Sequence, residues 1–175
     1  MPRPQDIIDM ENNSENREYV LENVSKKGTL LEFASSELKD DKEIALAAVR
    51  NNPEALEFVS DNLKADREVV FESVSKVGWT YCYAKENLLS DKELLIAGLK
   101  CTGQILYFAT QQMRDDKEVV LEAVKNKGII VKYASSRLKD DIDVGMCAMQ
   151  QSKKSYEFLS DSVKQDEKIL EILNS

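Results

Sequence analysis

One short pattern recurs along this chain at a fixed interval of 25 residues. The tripeptide Asp-Lys-Glu, followed by apolar residues, begins at Asp41, Asp91 and Asp116, and variants of it begin elsewhere in the same register. The complete set of starting residues is Asn16, Asp41, Asp66, Asp91, Asp116, Asp141 and Asp166. A fixed period of this length indicates a repeat architecture, in which each unit buries its apolar face against its neighbours.

Several columns of the repeat are apolar throughout when each starting residue is counted as position one. Position four is Tyr19, Ile44, Val69, Leu94, Val119, Val144 and Ile169. Position eighteen is always aromatic: Phe33, Phe58, Tyr83, Phe108, Tyr133 and Phe158. We expect these columns to form the core. In the fourth repeat this predicts that Leu106, Phe108, Ala109 and Met113 point inward.

Each repeat has the pattern of two short helices, the second of which is either α or partly 3₁₀. A capping box such as Ser90-x-x-Glu93 marks the start of the first helix, whose apolar residues have a spacing near 3.6. Position thirteen is glycine in four repeats: Gly28, Gly78, Gly103 and Gly128. A left-handed glycine commonly ends a helix, so we expect the first helix to stop there. Pro53 occupies this column in the second repeat and is predicted to open the next helix.

These patterns predict an all-α fold. The expected architecture is an α-solenoid of six 25-residue two-helix repeats plus a C-terminal capping helix. The repeats, which start at residues 16, 41, 66, 91, 116 and 141, form a single domain over residues 16–175, and residues 166–175 are the capping half-repeat. Residues 1–15 fall out of register and are predicted to be an N-terminal tail or imperfect cap.

The best repeat carries a resemblance to a known family. It runs from Asp116 to Gly128 and continues through Tyr133-Ala134-Ser135-Ser136 to Asp141. This sequence is similar to the bacterial domain-of-unknown-function 4116 family, and the resemblance extends from Asn16 to Ser175. It implies repeated short helices and no established activity.

Composition excludes several classes of function. The chain has no histidine, so Ser-His and Cys-His nucleophiles are absent. Its 24 basic and 32 acidic residues give a net charge of −8, which disfavours nucleic-acid binding. The cysteines at 82, 101 and 147 have no metal-ligand spacing, and we predict neither metal nor cofactor. No apolar run is long enough for a membrane span or a Sec-type signal, so we expect a cytoplasmic protein; delivery by another route stays open.

Two exposed columns change character in the central repeats. Position fourteen includes Trp79 and Ile129, and position seventeen includes Cys82 and Tyr107, whereas most other repeats place polar residues there. Tryptophan and tyrosine dominate interface hot spots, so we hypothesise that these four residues form a partner-binding patch. The alternative is that Trp79 and Tyr107 pack on neighbouring repeats as core.

Basic residues follow the end of the first helix. This basic ridge consists of Lys26, Lys27, Lys76, Lys100, Lys125 and Lys127. Cations at helix C-termini are stabilised by the helix dipole, which explains the ridge without a partner. The functional alternative is docking of an acidic partner or phosphate backbone.

Two functional classes remain. We favour a non-enzymatic module that binds a protein or peptide. The alternative is a small-molecule-binding protein or enzyme whose site, built around the tyrosines, Cys82 and the carboxylates, is not recognisable from sequence.

Overall fold

The computed structural model describes residues 3–175. This part of the chain consists of helices, turns and loops and contains no strand. It divides into two compact units, the first ending at Leu88 and the second comprising Leu89–Ser175.

The first unit contains five α-helices and five 3₁₀ segments. The α-helices are α1 (Gln5–Asn12), α2 (Arg17–Lys26), α3 (Ser36–Lys39), α4 (Lys42–Asn51) and α5 (Arg67–Val74). The 3₁₀ segments are η1 (Gly28–Phe33), η2 (Pro53–Phe58), η3 (Leu63–Ala65), η4 (Gly78–Tyr83) and η5 (Glu86–Leu88).

The second unit continues the same alternation. Its α-helices are α6 (Lys92–Cys101), α7 (Gln111–Arg114), α8 (Lys117–Asn126), α9 (Ser136–Lys139), α10 (Ile142–Gln151), α11 (Asp161–Lys164) and α12 (Glu167–Asn174). Its 3₁₀ segments are η6 (Gly103–Phe108), η7 (Gly128–Tyr133) and η8 (Lys153–Phe158).

The predicted second helix of each period is partly 3₁₀ and is not continuous. It begins with a six-residue 3₁₀ segment, passes through extended residues, and ends in one short helical turn. In the fourth period, η6 is followed by extended Ala109 and then by Thr110, whose hydroxyl accepts a hydrogen bond from Met113 N–H and caps α7. Each period between residues 16 and 165 therefore consists of one regular α-helix, one six-residue 3₁₀ segment and one short helical turn.

Aspartate side chains fix the starts of the regular helices. Asp116 Oδ1 accepts hydrogen bonds from the backbone N–H groups of Glu118 and Val119 at 3.0 and 3.2 Å. Asp91 caps α6 in the same way by accepting from Leu94 N–H. The N-cap is thus Asp91, one residue after the Ser90 that the capping-box prediction chose. An aspartate at this position satisfies N–H groups that have no partner within the helix.

The core contains most of the predicted apolar columns, and the aromatic column is a correction to the prediction. Leu106 and Met113 are buried, as is Ala109. Phe108 keeps 48% of its surface exposed, so its predicted place in the core is wrong. Ile105 and Leu106 already fill the inner side of η6, and Phe108 is left at the surface at the end of the segment.

The glycines at position thirteen serve close packing and not chain reversal. No residue of the described chain has a positive φ, so the predicted left-handed helix end is wrong. A Cβ on Gly103 would stand 2.5 Å from the carbonyl oxygen of Ala123 in α8, and Gly28 and Gly128 face Ala48 and Ala148 in the same manner. Glycine therefore lets η1, η6 and η7 approach the regular helix that follows each of them. Pro53 is the first residue of η2, as the sequence predicts.

A ladder of ion pairs links successive regular helices within each unit. The basic residue at position two contacts the acidic residues at positions one and three of the following period at 2.5–2.9 Å. The pairs are Arg17 with Asp41 and Glu43, Lys42 with Asp66 and Glu68, Lys92 with Asp116 and Glu118, and Lys117 with Asp141 and Asp143. Ile142 occupies position two of the next period and is 42% exposed. Each of these cap aspartates thus accepts hydrogen bonds from its own helix and also forms an ion pair with a basic residue of the preceding helix.

Helices α1 and α12 each cover part of the core of their own unit. Helix α1 contacts α2 and η1, and its Met10 is fully buried. Helix α12 packs on α10 and contributes buried Ile169, while Leu170 on its other side is exposed.

Candidate functional site

Two of the four predicted patch residues lie on η4 in the first unit. Trp79 is 40% exposed and Cys82 is also exposed. A 3₁₀ helix has three residues per turn, so residues three apart share a face. Trp79 contacts Tyr83 edge-on with ring centroids 5.6 Å apart. This surface therefore presents one large aromatic ring beside a thiol.

The other two predicted patch residues, Tyr107 and Ile129, lie together in the second unit. They line an open groove between η6 and η7, which we call the Tyr107 groove. Its lining residues are Gln104, Tyr107, Phe108, Lys127, Ile129, Ile130, Lys132 and Tyr133. The structure thus assembles half of the predicted patch and adds residues that the sequence analysis did not select.

Aromatic rings form the apolar part of the Tyr107 groove. The Tyr107 ring contacts Phe108 edge-on at 5.2 Å and Tyr133 edge-on at 5.3 Å between centroids. Tyr107 is 58% exposed, which makes it one of the most exposed large apolar residues of the described chain. Together the three rings form a surface cluster that the core does not enclose.

Two lysines give the Tyr107 groove its charge. Lys132 Nζ lies 4.7 Å from the centroid of the Tyr133 ring, within the range of a cation–π contact. Lys127 is exposed, and within residues 3–175 neither lysine is paired with a carboxylate. The groove lining includes no Asp or Glu, although the chain as a whole has a net charge of −8. Its electrostatic character is therefore opposite to that of the protein.

The predicted basic ridge is largely neutralised. All six lysines are exposed, and four contact a carboxylate: Lys26 with Glu22 at 2.6 Å, Lys27 with Asp6 at 2.6 Å, Lys76 with Glu72 at 2.6 Å and Lys125 with Glu122 at 3.6 Å. Lys76 also donates to the carbonyl of Arg50 near the end of α4 at 3.3 Å. Lys100 and Lys127 are the ridge members for which the described residues provide no ion pair. The ridge is therefore charged only in places.

The surroundings of Tyr83 and Cys82 change the pKa values of these two side chains. Burial, together with its hydrogen bond to the Glu57 carboxylate, raises the pKa of Tyr83 to about 12. Burial also raises the pKa of the Cys82 thiol. A thiol with a raised pKa is largely protonated at neutral pH, and protonated thiols are poor nucleophiles.

Asp141 and Asp143 form an acidic pair whose carboxylates make structural contacts. Asp141 caps α10, and its carboxylate and that of Asp143 both bind Lys117. Between residues 3 and 175, no three Cys, His, Asp or Glu side chains are grouped so that they could hold a metal ion. In the same range no helix combines the length and the apolar character needed to cross a membrane.

The sequence analysis missed Phe108, Tyr133 and Lys132 as groove residues. Phe108 and Tyr133 belong to a column that is always aromatic and is therefore expected in the core, and Lys132 belongs to a column that is otherwise mostly acidic. A period of three over residues 104–108 places Gln104 and Tyr107 on one face, but it groups Phe108 with buried Ile105 and therefore would not have found Phe108.

Comparison with known proteins gives one match. A family model described as a domain of unknown function, DUF4116, matches residues 16–64, 66–114 and 116–172. Each matched segment covers about two of the 25-residue periods. No curated protein and no solved structure matches the chain.

Proposed function

We propose that this chain, which belongs to the DUF4116 family of domains of unknown function, is a non-enzymatic interaction module that binds a protein or peptide. We propose further that its helical repeats form an α-solenoid of six 25-residue units closed by α12. Solenoids present residues outside the core columns on an extended surface, where they are free to contact a partner.

The observation that supports this function is the exposure of aromatic residues at positions that the repeat does not need for its core. Tyr107 at position seventeen is 58% exposed, and Trp79 at position fourteen is 40% exposed. Exposed apolar patches rimmed by polar residues are typical of protein interaction sites. The same two columns hold Glu54 and Glu57 in the second period without loss of the helical pattern.

Affinity capture from a lysate of the organism that encodes the chain tests the proposal. The bait proteins are the wild type, Tyr107→Ser, Trp79→Ser and the control Lys168→Ala, which changes an exposed residue of α12. All four baits must first show equal melting temperatures. We expect a partner that the wild type and the control retain and that at least one aromatic variant loses.

Two results would count against the proposal. Equal capture by all four baits would mean that the exposed aromatic residues do not serve recognition. Strong destabilisation by Tyr107→Ser or Trp79→Ser would mean that these rings are packing residues, as in the alternative interpretation of the sequence.

A further inference from the structure

We propose that the Tyr107 groove binds an acidic segment of a partner protein through an apolar anchor side chain flanked by carboxylates. This inference rests on the proposed function and specifies the chemistry of the partner. It depends on three features of the second unit: an unenclosed aromatic cluster, two unpaired lysines, and the absence of carboxylates from the lining.

The aromatic cluster provides the place for the anchor. The Tyr107 ring lies 5.2 Å from that of Phe108 and 5.3 Å from that of Tyr133, so the three rings form one continuous apolar surface. Ile129 and Ile130 border it. An aliphatic or aromatic side chain inserted here would displace water from several rings at once. Clustered aromatic residues that become desolvated on binding are typical of interface hot spots.

The two lysines determine the charge of the partner. Lys127 and Lys132 flank the rings, and no Asp or Glu contributes to the lining. The repeat does not require lysine at either position, because position twelve is Asn52 or Thr102 elsewhere and position seventeen is Glu57 in the second period. Lysines that the fold does not require lie here beside an apolar surface. They favour an anionic ligand by charge complementarity.

Two other occupants must be distinguished from an acidic segment of a partner protein. Single-stranded nucleic acid also binds aromatic rings and cations, but it must approach a protein of net charge −8, which opposes its binding. A second copy of the chain could insert an acidic surface such as that around Glu54 and Glu57. Both occupants are therefore included as outcomes of the test.

Fluorescence anisotropy with synthetic probes of twelve units tests the inference. The first probe is a labelled peptide of glutamate residues with Leu and Phe at its centre. The second replaces Leu and Phe with serine, and the third replaces every glutamate with lysine. The fourth is an oligothymidylate. At 0.05 M NaCl we expect the first probe to bind at least tenfold more tightly than each of the others. Raising NaCl to 0.5 M should weaken it at least threefold through screening.

Variants locate the binding in the groove. Tyr107→Ala should weaken the first probe by roughly thirtyfold, as expected for a central aromatic anchor. The double variant Lys127→Ala with Lys132→Ala should weaken it by roughly tenfold, whereas the control Lys168→Ala should leave it unchanged. Lys127→Glu with Lys132→Glu should transfer the preference to the lysine probe. Shifts of the wild-type backbone amide NMR signals at residues 104–108 and 127–133 provide a readout that needs no variant.

The outcomes separate this inference from the proposed function. The inference is overturned if the oligothymidylate or the lysine peptide binds best, if the glutamate probe perturbs other residues, or if sedimentation shows a dimer that Tyr107→Ala dissociates. If the lysate capture still yields a Tyr107-dependent partner, the proposed function survives and only the acidic character of the ligand is wrong. If capture fails as well, both proposals fail.

Discussion

Replacing Gly103 with alanine tests whether position thirteen is reserved for close packing. The new Cβ would stand 2.5 Å from the carbonyl oxygen of Ala123. Ordinary contacts between carbon and carbonyl oxygen are about 3.3 Å, so η6 and α8 must separate by about 0.8 Å. That oxygen also accepts the hydrogen bond from Lys127 N–H at 3.1 Å, which closes α8. Separation would therefore disturb the last turn of the helix as well.

The expected magnitude is a difference between two opposing effects. Overpacking of this kind costs about 1 to 3 kcal/mol. Alanine also stiffens the unfolded chain, which returns about 0.4 to 1 kcal/mol because the φ of Gly103 is not positive. We expect Gly103→Ala to lower the free energy of unfolding by about 1 to 2 kcal/mol, measured by urea denaturation and circular dichroism at 222 nm.

Gly145→Ala is the matched control within the same unit. Gly145 lies inside α10, where alanine gains about 1 kcal/mol of helix propensity. The nearest atom to its new Cβ is a methyl group of Val163 at 2.8 Å, followed by side-chain methyl groups of Ile169 and Leu159. Side chains adjust more readily than a helix backbone, so we expect stability within about 0.5 kcal/mol of the wild type.

Three results would refute this reasoning about Gly103. Stability of Gly103→Ala at or above that of the wild type would show that the close approach is not limiting. A loss in Gly145→Ala as large as that in Gly103→Ala would remove the distinction between backbone and side-chain obstacles. Greater stability of Gly103→Asn than of Gly103→Ala would favour a left-handed glycine, since asparagine tolerates positive φ and is larger than alanine.

Three further predictions concern buried hydroxyls, pH and salt. Ser73→Ala should cost about 1 to 2 kcal/mol in urea denaturation, because buried Ser73 donates to the carbonyl of Pro53 at 2.7 Å; an unchanged midpoint would contradict this. Partial burial raises the pKa of Asp116, but hydrogen bonds, first that from Lys92, hold the pKa below its usual 3.8. The stabilising contribution of Asp116 is therefore present above about pH 4 and is lost at lower pH. A urea midpoint that rises on acidification would refute the role of Asp116 as a stabilising cap. Lys117→Met removes contacts to Asp141 and Asp143 and should lower the urea midpoint at 0.05 M NaCl but much less at 1 M NaCl; equal losses would mean that the contacts are not electrostatic.

The repeated helices could be predicted because their determinants are local. The 25-residue register, the apolar spacing and the cap aspartates each depend on a few neighbouring residues, and the structure places helices wherever these patterns recur. Whether Gly103 ends a helix in a left-handed conformation could not be judged from its neighbours in the sequence. Glycine is compatible with a helix end and with close packing alike, and only the position of Ala123 on the next helix distinguishes them.

The ion-pair ladder and the groove depend on how neighbouring periods pack. Lys92 reaches Asp116 across 24 residues of sequence, which is possible only because successive helices lie side by side in register. Phe108 belongs to an aromatic column, but its exposure depends on how much of its surface the Tyr107 ring and η7 cover. The sequence identified Tyr107 and Ile129 as unusual, whereas their union with Lys132 and Tyr133 requires the 3₁₀ geometry of η6 and η7.

Site-specific photo-crosslinking tests the central claim most directly. A photoreactive phenylalanine analogue replaces Tyr107 in one protein and Lys168 in a control, and mass spectrometry identifies the segments that become attached in cells. The account predicts a crosslinked partner segment, found at position 107 and not at position 168, that contains an apolar residue among Asp and Glu. Attachment of a basic segment, or the same products from both positions, would contradict it.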